Sequence, residues 1–257
     1  MVPPSILTMR ELTEKDLPPA PDSVEYSAWV DAAVTASLKL VASVPVAAAT
    51  SDDAVWVKGK IYNGAQTYST RSAEGIPGAG ETEGFKWHTR QSIHDVAQLS
   101  YDDFERGLLI DHSLNEAKYI ESCTEAKRVQ VVKQGELEVW QTLYRLPFPA
   151  SNRDFAFAIL TVRVPESAAT IPGLRAFLVV SIPFAHPREH GYTRGRYVSV
   201  EHVAEMPDGK IQWTMAVSSS AGGMVPKMIS EHSMPSKISE DVPSFVKWAK
   251  KEFRAAT

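Results

Sequence analysis

From Lys127 to Ser220 the sequence keeps returning to a period of two, a pattern that constrains the fold more than any other part of the chain. "KRVQVVKQ" and "ELEVWQTLYRLP" flank Gly135, and "RDFAFAILTVRV", "LRAFLVVSIP", "GYTRGRYVSVEHVAEM" and "KIQWTMAVSSS" follow. Alternation of this kind puts successive side chains on opposite faces of a strand. The last two segments are joined by "PDG", a tight-turn sequence, and proline-led loops separate the others. Consecutive strands with short turns predict an antiparallel sheet. The parallel βαβ alternation of a doubly wound nucleotide-binding sheet is absent from the pattern.

Helical spacing appears on either side of this run. Tyr26, Trp29, Val30, Ala33, Ser37, Leu40, Val41 and Val44 predict a first helix ending near Pro45. A strand around "AVWVKGKIY" follows, then a surface loop "RSAEGIPGAGETEG" and a strand "FKWHTRQSIHD". "SYDDFERGLLIDHSLNEAKYIES" predicts one helix, capped by Ser100 with acidic residues in its first turn. In the closing segment Pro235 predicts a break between a short helix and a longer one starting near Asp241, with Pro243 in its first turn. Phe245, Trp248, Ala249 and Phe253 share one face of that longer helix, and Lys247, Lys250 and Lys251 the other. Residues 1–22, rich in proline and charge, read as a flexible leader before a single domain at 23–257.

The chain has 257 residues, a net charge of −4 and one cysteine, Cys123. The acidic balance argues against nucleic acid as a partner, which needs a concentrated basic face. A lone thiol forms no internal disulfide, and the N-terminal stretch lacks the apolar run of a signal peptide, so a cytoplasmic setting is expected. Cys123 reads as an inert residue near a helix end. Lys247, Lys250, Lys251 and Arg254 form a basic stripe that reads as a solvated helix face, or as a transient contact for an acidic membrane.

Two stretches imitate catalytic motifs. "IQWTMAVSSSAGGMVPK" has a serine run and two glycines, but neither the Gly-x-Ser-x-Gly elbow nor a Gly-Lys-Ser/Thr phosphate loop. Ala221, Gly222 and Gly223 read as a hinge between the last strand and the terminal helix. "HPREH", His186 to His190, matches a metal pattern only on a helix, and Pro187 and Gly191 put it in a loop. No metal and no cofactor is expected.

A long curling sheet needs something in its concave face, and the aromatic terminal helix is the natural filler. Any space left over forms an apolar, ligand-sized cavity. On strand 153–163, Phe155, Phe157 and Ile159 oppose Ala156, Ala158 and Leu160, so both faces look sheltered. On strand 192–206, Arg194, Arg196, Val198, Val200 and His202 oppose Tyr197, Ser199 and Glu201. His88, Arg90 and Ser92 share a face opposite Trp87 and Thr89, and read equally as a ligand-orienting cluster or a solvated outer face. Arg153 and Asp154 point to opposite faces and seek partners on neighbouring strands; Arg145, Arg194 and Glu201 are candidates for structural pairing.

"GRYVSVEHVAEMPDGKIQWTMAVSSSAGGMVPKMI" followed by "DVPSFVKWAKKEF" resembles the C-terminal half of a START-like domain. "WHTRQSIHD", "SYDDFERGLLIDHSLNEAKYIES" and "YRLPFPASNRDFAF" resemble earlier motifs of a mainly fungal START-like family of unknown function, in the same order. The resemblance runs from about Val55 to Phe253. Ser220 stands where that family often has an aspartate.

The resemblance implies an α+β helix-grip fold: a curved antiparallel sheet wrapped around a long C-terminal helix, enclosing a hydrophobic cavity. It implies a partner that is a hydrophobic small molecule, held for carriage or presentation. Residues expected to line the cavity are Trp87, Trp140, Phe157, Phe177, Arg194, Tyr197, Trp213, Met215, Met224 and Met228. The alternative is a cofactor-independent cyclase or pericyclase, Diels-Alderase-like, acting on a terpenoid or polyketide intermediate of fungal secondary metabolism. His88, Arg90 and Tyr144 are its expected polar groups.

Overall fold

The computed structural model describes residues 5–45, 55–148, 150–168, 171 and 173–254. Helix α1 (Val24–Ser43) precedes strands β1 (Trp56–Tyr62), β2 (Ala65–Thr70) and β3 (His88–His94). Two short helices, α2 (Tyr101–Phe104) and α3 (His112–Tyr119), lead into β4 (Cys123–Lys133), β5 (Leu137–Tyr144), β6 (Arg153–Arg163) and β7 (Ala176–Pro183). The chain continues as β8 (Thr193–Arg194), β9 (Arg196–Glu205), β10 (Ile211–Ser220) and the long α4 (Lys227–Arg254). One sheet runs β1-β2-β3-β10-β9-β7-β6-β5-β4, every neighbour antiparallel, with β8 added parallel to β6. The curved antiparallel sheet and its C-terminal helix are those the sequence implies.

Two apolar layers sandwich this sheet. On one face α1 packs with Trp87, Ala158, Leu160, Val198, Val200 and Ala216. On the other, α2, α3 and α4 pack with Trp140, Phe157, Phe177, Val203 and Trp213. Period two within each strand therefore feeds two cores, and β6 is sheltered on both sides as its sequence predicts.

Several local features depart from the pattern. Residues 5–22, expected as a flexible leader, are packed: Leu7, Met9, Leu12 and Leu17 are buried, and Leu12 exchanges backbone hydrogen bonds with Pro183 and Ala185 at 2.7 Å each. Spaced apolar residues in an extended chain carry no helical or strand period, so this packing is invisible to periodicity. Strand β2 pairs with β1 through an Asn63–Gly64 turn, both residues at positive φ. The segment expected as one helix from Ser100 splits into α2, a π turn at Glu105–Leu109 and α3, with Asp111 left-handed between them. Its start is as predicted: Ser100 Oγ accepts from the Asp103 N–H and the Asp103 carboxylate accepts from the Ser100 N–H. The π turn brings Gly107 against the Phe245 ring, where a Cβ would lie 2.5 Å from Cε2.

Strand 192–206 is divided into β8 and β9 at Gly195, where a Cβ would lie 2.3 Å from the Phe155 ring. Helix α4 runs through both Pro235 and Pro243 without a break. Pro243 has no N–H for the Ser239 carbonyl, and Asn63 Nδ2–H donates to it instead at 3.2 Å. Tertiary contacts thus carry the helix past a residue that would end it in isolation.

Candidate ligand-binding cavity

Between α4 and the inner face of the sheet lies a cavity of about 470 Å³. β9 and β10 form one wall. Their register places Tyr197 opposite Ser219, Ser199 opposite Val217 and Glu201 opposite Met215, and all six line the space, with Trp213 beyond. Phe155 of β6, Ser181 of β7 and Tyr144 of β5 continue that wall, and Val225, Ile229 and Met234 close it from the helix side. The wall is mainly apolar and aromatic. Edge-on ring contacts of Phe155 with Tyr144 and Tyr197, at 5.5 and 5.4 Å, hold those rings in place.

The two ends differ. Near residues 221–223 the cavity is bounded by Leu146, Ala150 and Arg153, whose Nε–H donates to the Ala221 carbonyl at 2.7 Å. Gly222 is left-handed, and a Cβ on it would lie 2.0 Å from the Arg194 carbonyl oxygen, so only glycine fits. Ser220 accepts the Gly222 N–H at 3.4 Å.

At the other end polar groups converge. Arg90 is fully buried; its Nε–H donates to the Ile238 carbonyl at 2.7 Å, and its guanidinium stacks on the Trp213 ring 3.8 Å from the centroid. Arg90 Nη2 lies 3.7 Å from Glu201 Oε2, and neither terminal nitrogen has a hydrogen-bond partner. Trp213 Nε1–H donates to Glu201 Oε2 at 2.8 Å. His112 donates from Nδ1 to the Leu108 carbonyl at 2.7 Å, which leaves Nε2 facing Glu201 Oε1 at 3.8 Å and Glu116 Oε2 at 4.0 Å. Tyr144 donates to Glu116 Oε1 at 3.0 Å.

Burial dominates the ionisation of this end. It raises the Glu116 carboxyl above its ordinary range and pushes Asp241 up to about 8; nearby Glu116 and Glu201 add to the Asp241 shift, and Arg90 opposes it. Burial likewise holds the phenols of Tyr119, Tyr144 and Tyr197 well above their usual range. All five groups line the cavity.

Of the residues expected from sequence, Tyr144, Tyr197, Trp213 and Met215 line the cavity. His88, Arg90 and Ser92 face inward and are buried, so the outer-face reading is wrong; His88 hydrogen-bonds Ser69 at 2.8 Å, and Arg90 stands behind Trp213. Trp87 packs on the opposite face, under α1. Trp140, Phe157 and Phe177 belong to the core beside the cavity. Arg194 pairs with the fully buried Asp154 at 2.7 Å, a structural pair that pins the loop before β8. Met224 and Met228, 99% and 79% exposed, point to solvent, Met224 before α4 begins and Met228 on the outward side of its first turn.

The missed residues are His112, Glu116 and Tyr119, spaced i, i+4, i+7 on α3, and Asp241, one turn before Phe245. An acid on the apolar stripe of the terminal helix was the available signal. Cys123 begins β4 just after α3, buried, with its thiol pushed up to about 12. His186 and His190 lie in the loop before β8.

A long helix gripped by a curved antiparallel sheet defines a START-like fold. Human StAR-related lipid transfer protein 5 superposes with a TM-score of 0.59 at 18% identity, covering 79% of this chain and 89% of that one. Human STARD10 gives a TM-score of 0.56 at 12% identity, covering 83% and 88%. A STAR-related lipid transfer protein fragment from Xanthomonas axonopodis gives 0.57 at 15%, covering 76% and 99%. The chain belongs to the family described as protein of unknown function (DUF3074), which matches residues 87–249. The uncharacterized protein C577.11 of Schizosaccharomyces pombe is 23% identical over 238 residues, 89% of this chain and 87% of that protein.

Proposed function

We propose that this protein encloses a hydrophobic small molecule in the cavity beneath α4 and carries or presents it. The observation that carries this reading is the aromatic-walled space of about 470 Å³ between α4 and β9–β10. The fold shared with proteins named for lipid transfer supports it. Each methylene moved from water into such a wall contributes about 0.8 kcal/mol, so an apolar ligand needs few directed contacts. Entry and release would use movement at 221–223, where Arg153 holds the Ala221 carbonyl. The working unit is the START-like domain together with residues 5–22, whose Leu7, Met9, Leu12 and Leu17 pack into its core; no helix among the described residues is long and apolar enough to cross a membrane.

A second reading, a cofactor-independent cyclase in the same space, is favoured by one observation. The Tyr144–Glu116 and His112–Glu201 contacts put proton donors and acceptors on an otherwise apolar wall. In that reading Tyr144 keeps its expected place as a polar group, and Glu116 supplies the acid–base group in place of His88 and Arg90, which do not line the space.

Mass spectrometry of organic extracts from protein expressed in Schizosaccharomyces pombe separates the two. A stoichiometric lipid or terpenoid, recovered unchanged after incubation, is expected. Conversion of a linear precursor by native but not heat-killed protein would replace carriage with catalysis.

A further inference from the structure

The cavity is polar at one end in a one-sided way. Three carboxylates from three elements face it there: Glu116 on α3, Glu201 on β9 and Asp241 on α4. Among the described residues the only guanidinium at this end, that of Arg90, does not line the space; it lies behind the Trp213 ring, with one N–H committed to the Ile238 carbonyl. Tyr144 and Trp213 give their hydrogens to Glu116 and Glu201. Apart from Lys237, one turn before Asp241 on α4, the His112 ring and the tyrosine phenols, the ionisable groups that line this end are therefore carboxyls, two of them already accepting from ring donors. We propose that the closed end recognises the ammonium group of an amphipathic amine, whose hydrocarbon chain lies along the Tyr197–Met215 wall. A primary ammonium has three N–H donors and no acceptor, matching three carboxylates.

The proposal rests on the container reading and adds a headgroup to it. It also carries a pH dependence. Asp241 is faced by Arg90 from β3, by Glu116, Tyr119 and His112 from α3, by Glu201 from β9 and by Tyr144 from β5, with Lys237 and Glu240 on its own helix. Its carboxyl, raised to about 8, is protonated in the empty cavity near neutrality and must lose that proton to pair with the amine. An alkylamine stays cationic to about pH 10, like lysine. Amine affinity is therefore expected to rise with pH up to about 8, roughly tenfold per unit below it.

Isothermal titration of the full chain with decylamine and with decanol, at pH 6, 7 and 9, tests this. Decylamine is expected to bind more tightly than decanol, increasingly so from pH 6 to pH 9, with proton release measurable in buffers of different ionisation enthalpy. In Asp241→Asn the amine preference should weaken and its rise with pH should flatten, while decanol binding and the circular dichroism spectrum are retained. Equal, pH-independent binding of both probes would overturn the ammonium site and leave the container standing. Binding of neither would overturn both.

Discussion

Replacing Arg90 by methionine is expected to lower folding stability by about 3–5 kcal/mol, although the side chain touches no solvent and lines no cavity wall. Arg90 joins three elements: it donates to the Ile238 carbonyl of α4, stacks on Trp213 of β10 and faces Glu201 of β9. Without it Glu201 keeps only the Trp213 N–H and the His112 contact, and a helix carbonyl loses its donor. A buried charge left without its partner is costly, whereas two apolar replacements remove both desolvation penalties. The double variant Arg90→Met, Glu201→Met should therefore unfold in urea at a higher midpoint than Arg90→Met alone. A single-variant loss below about 1 kcal/mol, or strict additivity in the double-mutant cycle, would show that the pair is not coupled.

The second large effect is with pH. His88, His94 and His202 are buried, and burial lowers each to about 4. A histidine whose folded pKa lies below its unfolded value of about 6.5 stabilises the fold above that value, and the contribution is lost as pH falls from 6.5 towards 4. Each is worth on the order of 3 kcal/mol across that window. Asp241, raised to about 8, acts in the opposite sense: it is already protonated in the fold while the unfolded carboxyl is still ionised. It offsets about one histidine, and Glu116, also raised, offsets part of another. A net loss of stability is expected between pH 6.5 and pH 4. His202 isolates the term, because its shift comes from burial alone. Urea unfolding of His202→Gln should show a pH dependence flatter than wild type by about 3 kcal/mol over that range. Identical slopes for the two proteins would rule out a buried neutral histidine there.

The sheet was legible because each of its long strands alternates, and the terminal helix because Phe245, Trp248, Ala249 and Phe253 fall on one stripe. Which face looked inward was not legible. His88, Arg90, Ser92 and His94 have the composition of a solvated face, yet α4, and Phe104 of α2 beside His94, cover them. Polar residues on a strand report burial only through partners that are distant in sequence, such as Ile238 for Arg90, 148 positions away. Trp87 misled in the complementary way, since an aromatic on a two-sided sheet fits either core. The prolines of α4 misled because the Asn63 side chain supplies a donor that Pro243 lacks. The carboxylate end was partly legible, as α3 repeats His112, Glu116 and Tyr119 at helical spacing and Asp241 interrupts an apolar stripe. Neither pattern reveals that both helices face the same space.

The central claim, that the space beneath α4 holds an apolar molecule, is tested most directly by filling it. Ser199 lies midway along the β9 wall, opposite Val217. Nile red, a neutral dye that brightens in apolar surroundings, should bind wild-type protein with one-to-one stoichiometry. Ser199→Trp, with an unchanged circular dichroism spectrum, should weaken that binding at least tenfold. Equal dye binding by a folded Ser199→Trp protein, or none by wild type, would contradict the account.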